Sequence, residues 1–344
     1  MEIKEEKFGI LSNGKKIKLF TLKAGDLKFS LTNFGATWTS LIVPSKNGKD
    51  DILLGYSGFD GYLNNKQYIG VTVGRVANRI NNASFKINGK TYNTDTNEGQ
   101  NTLHSGRRGF DKLVWNADTY EEKEGVYIRF ELDSPDGEGG FPGNLKAVVN
   151  YGLTKSNEII CDYHAKVDKP CPVNLTNHAY FNLKGEGNGD ILSHELILHA
   201  SSYLEIDKQS IPTGQIIPVE NTEYDFRSRR KICINNNSVE NFNGYDHCFA
   251  VDGKPNSLNP CAEVFEPSSG RSMKIFTTQP GIQFYSGNYL QDLIGKQGSV
   301  YKKHFGFCLE TQHFPDAPNQ PGFPSCTVTP GKEYHEEAVF SFDW

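Results

Sequence analysis

The sequence has no run of apolar residues long enough to cross a bilayer, and its first residues lack the basic start and apolar stretch of a signal peptide. It also lacks a basic excess. The 36 Lys and Arg residues against 41 Asp and Glu residues give a net charge of −5 and a pI near 6.0. These absences argue against membrane and nucleic-acid partners, since nucleic-acid binding needs a basic patch. We therefore expect a soluble, cytoplasmic protein.

The cysteines form no CxxC pair, and an odd number of them leaves one over if the others are all bridged. Scattered cysteines of this kind are typical of free thiols in a reducing compartment. They lie at Cys161, Cys171, Cys233, Cys248, Cys261, Cys308 and Cys326.

Helical periodicity is scarce, whereas Gly, Asn and Pro recur between short β-rich segments. Residues 85–92, with Asn-Gly at their centre, are typical of a hairpin, and residues 59–64 of one helical turn. The pattern predicts an all-β protein, a single domain over residues 1–344 folded as one large antiparallel β-sandwich. The predicted extended segments are 16–22, 27–33, 37–43, 51–54, 68–73, 126–132, 145–153, 158–166, 172–183, 195–199, 215–219, 248–250, 262–266, 272–277, 281–286, 305–311 and 333–342.

Residues 172–183 alternate in an unusual way if they form one strand. One face is apolar except at Asn177. The other is a row of neutral hydrogen-bonding side chains around a single imidazole: Asn174, Thr176, His178, Tyr180 and Asn182. Such a row suits a strand that lines a polar cavity, because neutral groups can bind hydroxyls without the cost of burying charge. The alternative is that His178 is a hydrogen-bonded core histidine.

A second strand, 305–311, places Glu310 on the same face as the small residues Gly306 and Cys308. A half-buried carboxylate in that setting can act as a base. The alternative is that Glu310 pairs with an arginine such as Arg79.

Other candidates lie in turns or at strand ends. Asn78 and Arg79 project from a short bend, where Arg79 could bind paired oxygens or form a surface salt bridge. His104 lies in a turn-rich segment, where histidines are often merely solvated. Asp246 could accept from hydroxyls or end a turn. Gln283 lies on the face of its strand opposite the apolar residues.

A metal site is a further hypothesis, because four side chains that could bind a metal ion lie close in sequence: His304, Cys308, Glu310 and His313. In a strand, His313 faces away from Cys308 and Glu310, and the other three are spread over too much length to converge on one ion. We therefore predict no metal site.

Six motifs together resemble the galactose mutarotase (aldose 1-epimerase) family, in the family's order and over nearly the whole chain. The resemblance implies a β-supersandwich fold and the interconversion of the α and β anomers of free hexoses such as galactose and glucose, without a cofactor. We predict a monomer or a weak dimer. The motifs are residues 74–80, 103–111, 174–183, 244–247, 279–285 and 309–312.

Carried over to this sequence, the resemblance implies that Glu310 is the general base and His178 the general acid, with His104 as a further candidate for the proton donor. It also implies that Tyr180 lines the pocket. Sugar hydroxyls would be held by Asn78, Arg79, His104, Asp246 and Gln283. At pH 7 we expect Glu310 to be ionised and His178 to be charged beside it.

Three rival functions remain. A glycoside hydrolase needs two carboxylates, for which Asp246 and Glu310 are the candidates. A phosphosugar epimerase needs more cationic residues around the pocket than the sequence offers. A non-catalytic sugar-binding or sensor protein could use the same fold, although the presence of both Glu310 and His178 argues against it.

Overall fold

The computed structural model describes residues 1–233 and 243–344. Its first third begins with a five-stranded antiparallel sheet in the order β1-β2-β3-β4-β5, followed by one helical turn, α1, and several short paired strands. The elements are β1 (Glu2–Ile10), β2 (Lys16–Ala24), β3 (Leu27–Thr32), β4 (Thr37–Ser45), β5 (Gly48–Asp51), α1 (Phe59–Leu63), β6 (Thr72–Val73), β7 (Arg79–Ile80), β8 (Ser84–Ile87), β9 (Lys90–Asn93) and β10 (Thr102–Leu103).

The rest of the described chain builds two larger sheets and a few short pairs. Its strands are β11 (Asn116–Glu121), β12 (Gly125–Ser134), β13 (Leu145–Thr154), β14 (Glu158–Val167), β15 (Cys171–Pro172), β16 (Thr176–Asn177), β17 (Glu195–Leu198), β18 (Ser202–Ile206), β19 (Pro212–Pro218), β20 (Arg230–Lys231), β21 (Asp246–Ala250), β22 (Asn259–Phe265), β23 (Ser272–Thr277), β24 (Gly281–Tyr285), β25 (Leu293–Ile294), β26 (Val300–Tyr301), β27 (Cys308–Gln312), β28 (Thr327–Val328) and β29 (Tyr334–Asp343).

The larger sheet has nine strands in the order β11-β12-β13-β14-β29-β23-β22-β17-β20, and the other has five in the order β19-β18-β21-β24-β27. One apolar core joins the sheets. The ring of Phe20 on β2 lies 6.2 Å from that of Phe130 on β12, and the ring of Trp38 on β4 lies 5.5 Å from that of Phe340 on β29. Phe284 on β24 belongs to the same buried cluster. The predicted all-β antiparallel sandwich is confirmed.

Residues 172–183 do not form the single strand that their alternation predicts. Only β15 and β16 are regular, and the peptide groups between and after them bond to several different segments of the chain. The amide of Asn174 donates to the carbonyl of Arg75 at 2.8 Å, that of His178 to Val71 at 2.9 Å, and that of Phe181 to Phe307 at 2.8 Å. Both faces of the segment are buried. A period-two pattern cannot show that the hydrogen-bonding partners of the backbone change along the segment.

Other boundaries also differ. The strand predicted at 51–54 lies earlier, at β5, and that predicted at 305–311 is shorter at its start, as β27. Strands β1, β11 and β18 were not predicted, since exposed charged or polar residues obscure their alternation. The hairpin is confirmed as β8 and β9, and the helical turn as α1. In the described ranges, no helix is both long and apolar enough to span a bilayer.

Candidate active site

A polar cavity of about 200 Å³ opens beside the sheet that contains β21, β24 and β27. These three strands are neighbours, and Gln283 lies directly opposite Glu310 in the pairing of β24 with β27. Asp246 similarly lies opposite Tyr285. Because side chains alternate along a strand, these four groups point to the same side of the sheet. The cavity is lined by Lys66, Gln67, Tyr68, Asn78, Arg79, Glu98, Leu103, His104, His178, Tyr180, Asp246, Gln283, Tyr285, Tyr289 and Glu310.

His178 and Glu310 form a buried pair in the cavity wall. The Nε2 atom of His178 lies 3.7 Å from Oε1 of Glu310, and its Nδ1 atom contacts Sγ of Cys308 at 3.4 Å. The side chains are only 8% and 3% exposed. Among the described residues, Oε2 of Glu310 has no hydrogen-bond partner. That oxygen is therefore available to a ligand.

Burial controls the protonation of this pair. It lowers the pKa of His178 to about 4, and burial together with the negative charge of Asp246 raises the pKa of Glu310 well above its ordinary value. Both shifts favour the neutral forms, with the proton on the carboxyl group. These directions run against the expectation that Glu310 is ionised beside a charged His178, because an ion pair is costly to bury.

His104 is fixed by the backbone of Asn78. The amide of Asn78 donates to Nδ1 of His104 at 3.1 Å, and the amide of His104 donates to the carbonyl of Asn78 at 3.0 Å. Both residues adopt positive φ angles, of 62° and 49°. Burial, with the charges of His178 and Arg79 next, lowers the pKa of His104 well below its ordinary value. The ring is therefore neutral, and since Nδ1 accepts a bond, Nε2 carries the proton.

Arg79 is held in a two-pronged contact with Glu98. Its Nε lies 2.6 Å from Oε2 of Glu98 and its Nη2 lies 2.9 Å from Oε1. Its Nη1 lies 3.7 Å from Asp246, which in turn accepts a 2.7 Å bond from Nε2 of Gln283. Arg79 therefore pairs with Glu98 and not, as one alternative had it, with Glu310. Because the fork is held on one edge, the guanidinium presents a fixed positive charge to the cavity.

Tyrosines complete the walls. The ring of Tyr180 stacks on His178 with the ring centres 5.1 Å apart, and its hydroxyl donates to the carbonyl of Gln67 at 3.0 Å. Tyr68 lies against His104, with the ring centres 4.7 Å apart. Tyr289 is 53% exposed and lies at the rim. Flat aromatic walls and hydrogen-bonding groups together suit a ligand with both apolar and hydroxyl surfaces.

Every residue that the family resemblance implies for the site lies at this one cavity. The proposed row on residues 172–183 is only partly there, since His178 and Tyr180 reach the cavity while Asn182 bonds to the carbonyls of Gly189 and Phe305. Several lining residues were missed. Tyr285 could have been found, since it lies two residues after Gln283 on the same face. No local pattern marks Glu98 or Tyr68.

The side chains weighed as a metal site do not meet. His313 lies 3.2 Å from Glu336, and Nδ1 of His304 lies 2.7 Å from the carbonyl of Ser286. A different trio, His104, His178 and Glu310, has ligand atoms within 4.8 Å of one another. Those three groups are also placed to exchange protons with a bound molecule, which requires no metal.

A model of the family described as aldose 1-epimerase matches residues 18–341. The chain belongs to this family. It is 42% identical to the galactose mutarotase of Homo sapiens over 340 residues, covering 97% of each chain. It is 37% identical to the aldose 1-epimerase of Escherichia coli (strain K12) over 338 residues, covering 96% of each.

Solved structures agree with the family assignment. The GalM/aldose epimerase homologue from C. elegans superimposes with a TM-score of 0.87 at 33% identity, covering 94% of this chain and 98% of that one. A galactose 1-epimerase from Lactobacillus acidophilus NCFM gives a TM-score of 0.87 at 26% identity, covering 99% and 98%. As a member of the aldose 1-epimerase family, the chain is an isomerase of the racemase and epimerase class, and the predicted resemblance is confirmed.

Proposed function

We propose that this enzyme interconverts the α and β anomers of free aldohexoses such as galactose and glucose, with Glu310 as general base and His178 as general acid. The observation that carries the proposal is the buried pair itself, a carboxyl group and an imidazole 3.7 Å apart in the wall of a cavity. The relatives named galactose mutarotase support galactose as a substrate.

The reaction needs one proton to move at each of two oxygens. In ring opening, Glu310 removes the proton of the C1 hydroxyl while His178 donates a proton to the ring oxygen. The bond from C1 to the ring oxygen breaks, and a C1 carbonyl forms. Rotation about the bond between C1 and C2 then exposes the other face of the aldehyde. Ring closure reverses both proton transfers and returns the pair to its starting state.

The protonation of the pair bears on this cycle. A neutral pair, with the proton on Glu310, is complementary to the open-chain aldehyde, whereas the ring form requires the proton on His178. Burial and Asp246 raise the pKa of Glu310, and the positive charge of Arg79 opposes that shift and so favours the second state. We infer that a bound pyranose draws the proton from Glu310 to His178 before the ring opens, because the sugar hydroxyls can hydrogen-bond to the charged pair that results.

Hydroxyl binding is assigned to Asn78, Arg79, His104, Asp246 and Gln283. Among the described residues, Oε1 of Gln283 is buried without a hydrogen-bond partner, so it can accept from a sugar hydroxyl. His104 would donate from Nε2, and Asp246 would accept. Tyr180 would pack along the sugar ring.

The proposal is tested by polarimetry on freshly dissolved α-D-galactose. We expect the protein to speed the decay of optical rotation. The E310Q variant should be slower by a factor of about 10² to 10⁴ while still binding sugar, because the amide keeps the shape of the side chain and loses its basicity. The matched control is E263Q, which changes a carboxylate paired to His199 at 3.2 Å and outside the cavity. Normal turnover in E310Q would remove Glu310 from its role.

H178A is the companion variant. We expect a comparable loss of rate, because the ring oxygen then leaves without a positioned proton donor. A wild-type rate in H178A would transfer the acid role to His104. Sugar binding with no catalysis by the wild-type protein would instead favour a sensor.

A further inference from the structure

A second cluster of metal-ligating side chains lies on the outer face of the nine-stranded sheet. His164 on β14 and His335 on β29 are directly opposite each other in the antiparallel register, and Asp162 precedes His164 by two residues on the same face. The alternate residues of β14, such as Tyr163, are buried in the core. None of the three cluster residues lines the cavity described above.

The ring nitrogens of this cluster converge on one carboxylate oxygen. The Nε2 atoms of His164 and His335 lie 3.0 Å and 2.9 Å from Oδ1 of Asp162, and the two rings are parallel with centres 4.4 Å apart. All three ligand atoms lie within 4.8 Å of one another. Donors about 2.1 Å from a tetrahedral zinc ion lie roughly 3.4 Å apart, so small rotations of the rings suffice to admit an ion.

Two further contacts orient these groups as in known metal sites. The Nδ1 atom of His164 lies 3.3 Å from Glu333, which leaves Nε2 directed at Asp162. The side-chain amide of Asn150 donates to Oδ2 of Asp162 at 2.9 Å, which leaves Oδ1 for the histidines. Metal-binding histidines commonly have their second nitrogen held by a carboxylate, and ligating carboxylates are themselves hydrogen-bonded.

The charges of the cluster also suit a cation. Asp162 and Glu333 place two carboxylates beside the two imidazoles. Lys166 is drawn towards Glu333, 3.6 Å away. Two imidazoles and a carboxylate are ligands that divalent zinc, copper and nickel prefer.

We propose that Asp162, His164 and His335 form a surface binding site for a divalent transition-metal ion such as zinc, with Glu333 and Asn150 as orienting residues. Because His164 and His335 belong to different strands, the ion links β14 to β29. The proposal is independent of the proposed catalytic roles.

The experiment is calorimetric titration of the purified protein with zinc chloride at pH 7.5, with the bound metal counted after desalting. Every variant carries C233S so that an accessible thiol does not bind the zinc, because Cys233 is the one cysteine that is not buried. We expect one equivalent of bound zinc. H164A and H335A should each weaken zinc binding by about tenfold or more, since loss of even an outer-shell partner of a metal site costs about tenfold in affinity. The matched control, H199A, removes a surface histidine paired to one carboxylate and should bind as wild type does.

Two results would overturn the proposal. One is equal zinc binding by wild type, H164A and H335A, all checked for folding by circular dichroism. The other is loss of sugar binding on zinc addition in wild type and H335A alike, which would place the ion at His104, His178 and Glu310.

Discussion

A carboxyl group buried as deeply as Glu310 is costly to ionise, and its Oε2 atom has no hydrogen-bond partner among the described residues to offset that cost. In the unfolded chain the same group ionises near its ordinary pKa of 4.5. If Glu310 is the base that we propose, the group is kept at the expense of stability, as is common where a residue is needed for chemistry.

The E310Q variant should therefore be more stable than wild type at neutral pH. Because the folded-state pKa is raised, the unfolded wild-type chain loses this proton first as pH rises above 4.5, so wild-type stability falls relative to E310Q. We expect a clear difference at pH 8 and little at pH 4. Urea unfolding at both values measures it, with E263Q as the control. A difference that does not change with pH would contradict the account.

Single residues of the site differ in how well a sequence reveals them. His178 stands out as the one imidazole in a row of neutral hydrogen-bonding side chains, and Glu310 as a carboxylate beside the small residues Gly306 and Cys308. Glu98 does not, since its role depends on Arg79, which the fold brings to it from another segment. The protonation of the pair is equally hidden, because burial on all sides is a property of the folded chain.

Among the structural elements, the segment that carries His178 is hydrogen-bonded to the backbone of Gly70. Gly70 has a φ of +75°, and its amide donates to the carbonyl of His178 at 2.8 Å. Its carbonyl accepts bonds from the amide of Trp38 and the side chain of Asn177. A Cβ atom at this position would lie 2.1 Å from the carbonyl oxygen of Trp38.

G70A should consequently destabilise the protein and displace His178. We expect a loss of roughly 3 kcal/mol or more, since strain from the positive φ adds to a backbone clash, with a lower rate of anomer interconversion in the folded fraction. G89A is the control, because Gly89 has a similar φ of +79° but no atom within 4 Å of the added Cβ. It should cost about 1 kcal/mol and leave the rate unchanged. Equal losses in thermal unfolding would refute this explanation.

The hairpin and the segment 172–183 show what a local sequence pattern can and cannot predict. The hairpin β8–β9 is predictable because Asn88 and Gly89 tolerate the left-handed backbone that a two-residue turn requires. The segment 172–183 is not, because its backbone partners come from residues about 100 positions earlier and 130 later. Alternation predicts extended structure without specifying which segments pair.

At the scale of the whole molecule, one large apolar cluster of the described residues reaches all three of the larger sheets. One buried cluster includes Phe29 of the first sheet, Phe130 of the nine-stranded sheet and Phe284 of the second five-stranded sheet. The fold class could be predicted from strand spacing and scarce helix, but the order of strands in the sheets could not, since it is set by contacts between distant segments. That residues 1–344 form a single domain stays a prediction.

This prediction can be tested by unfolding. Because the cluster joins all three sheets, we expect a single transition in which loss of strand structure, followed by far-UV circular dichroism, coincides with the change in tryptophan fluorescence. Trp38 and Trp115 are both buried and report on the core. Separate midpoints for the two signals, or a calorimetric enthalpy well above the van't Hoff value, would instead indicate units that unfold independently.

Strand β1 lies at the end of the first sheet, and its residues alternate little because most are exposed and charged, among them Glu2, Lys4, Glu6 and Lys7. An outermost strand offers unpaired amides and carbonyls to any strand of another molecule. Charges along that border hydrate it and disfavour pairing with an approaching chain. We therefore expect the residues that obscure β1 in the sequence to limit aggregation through that border in concentrated solutions.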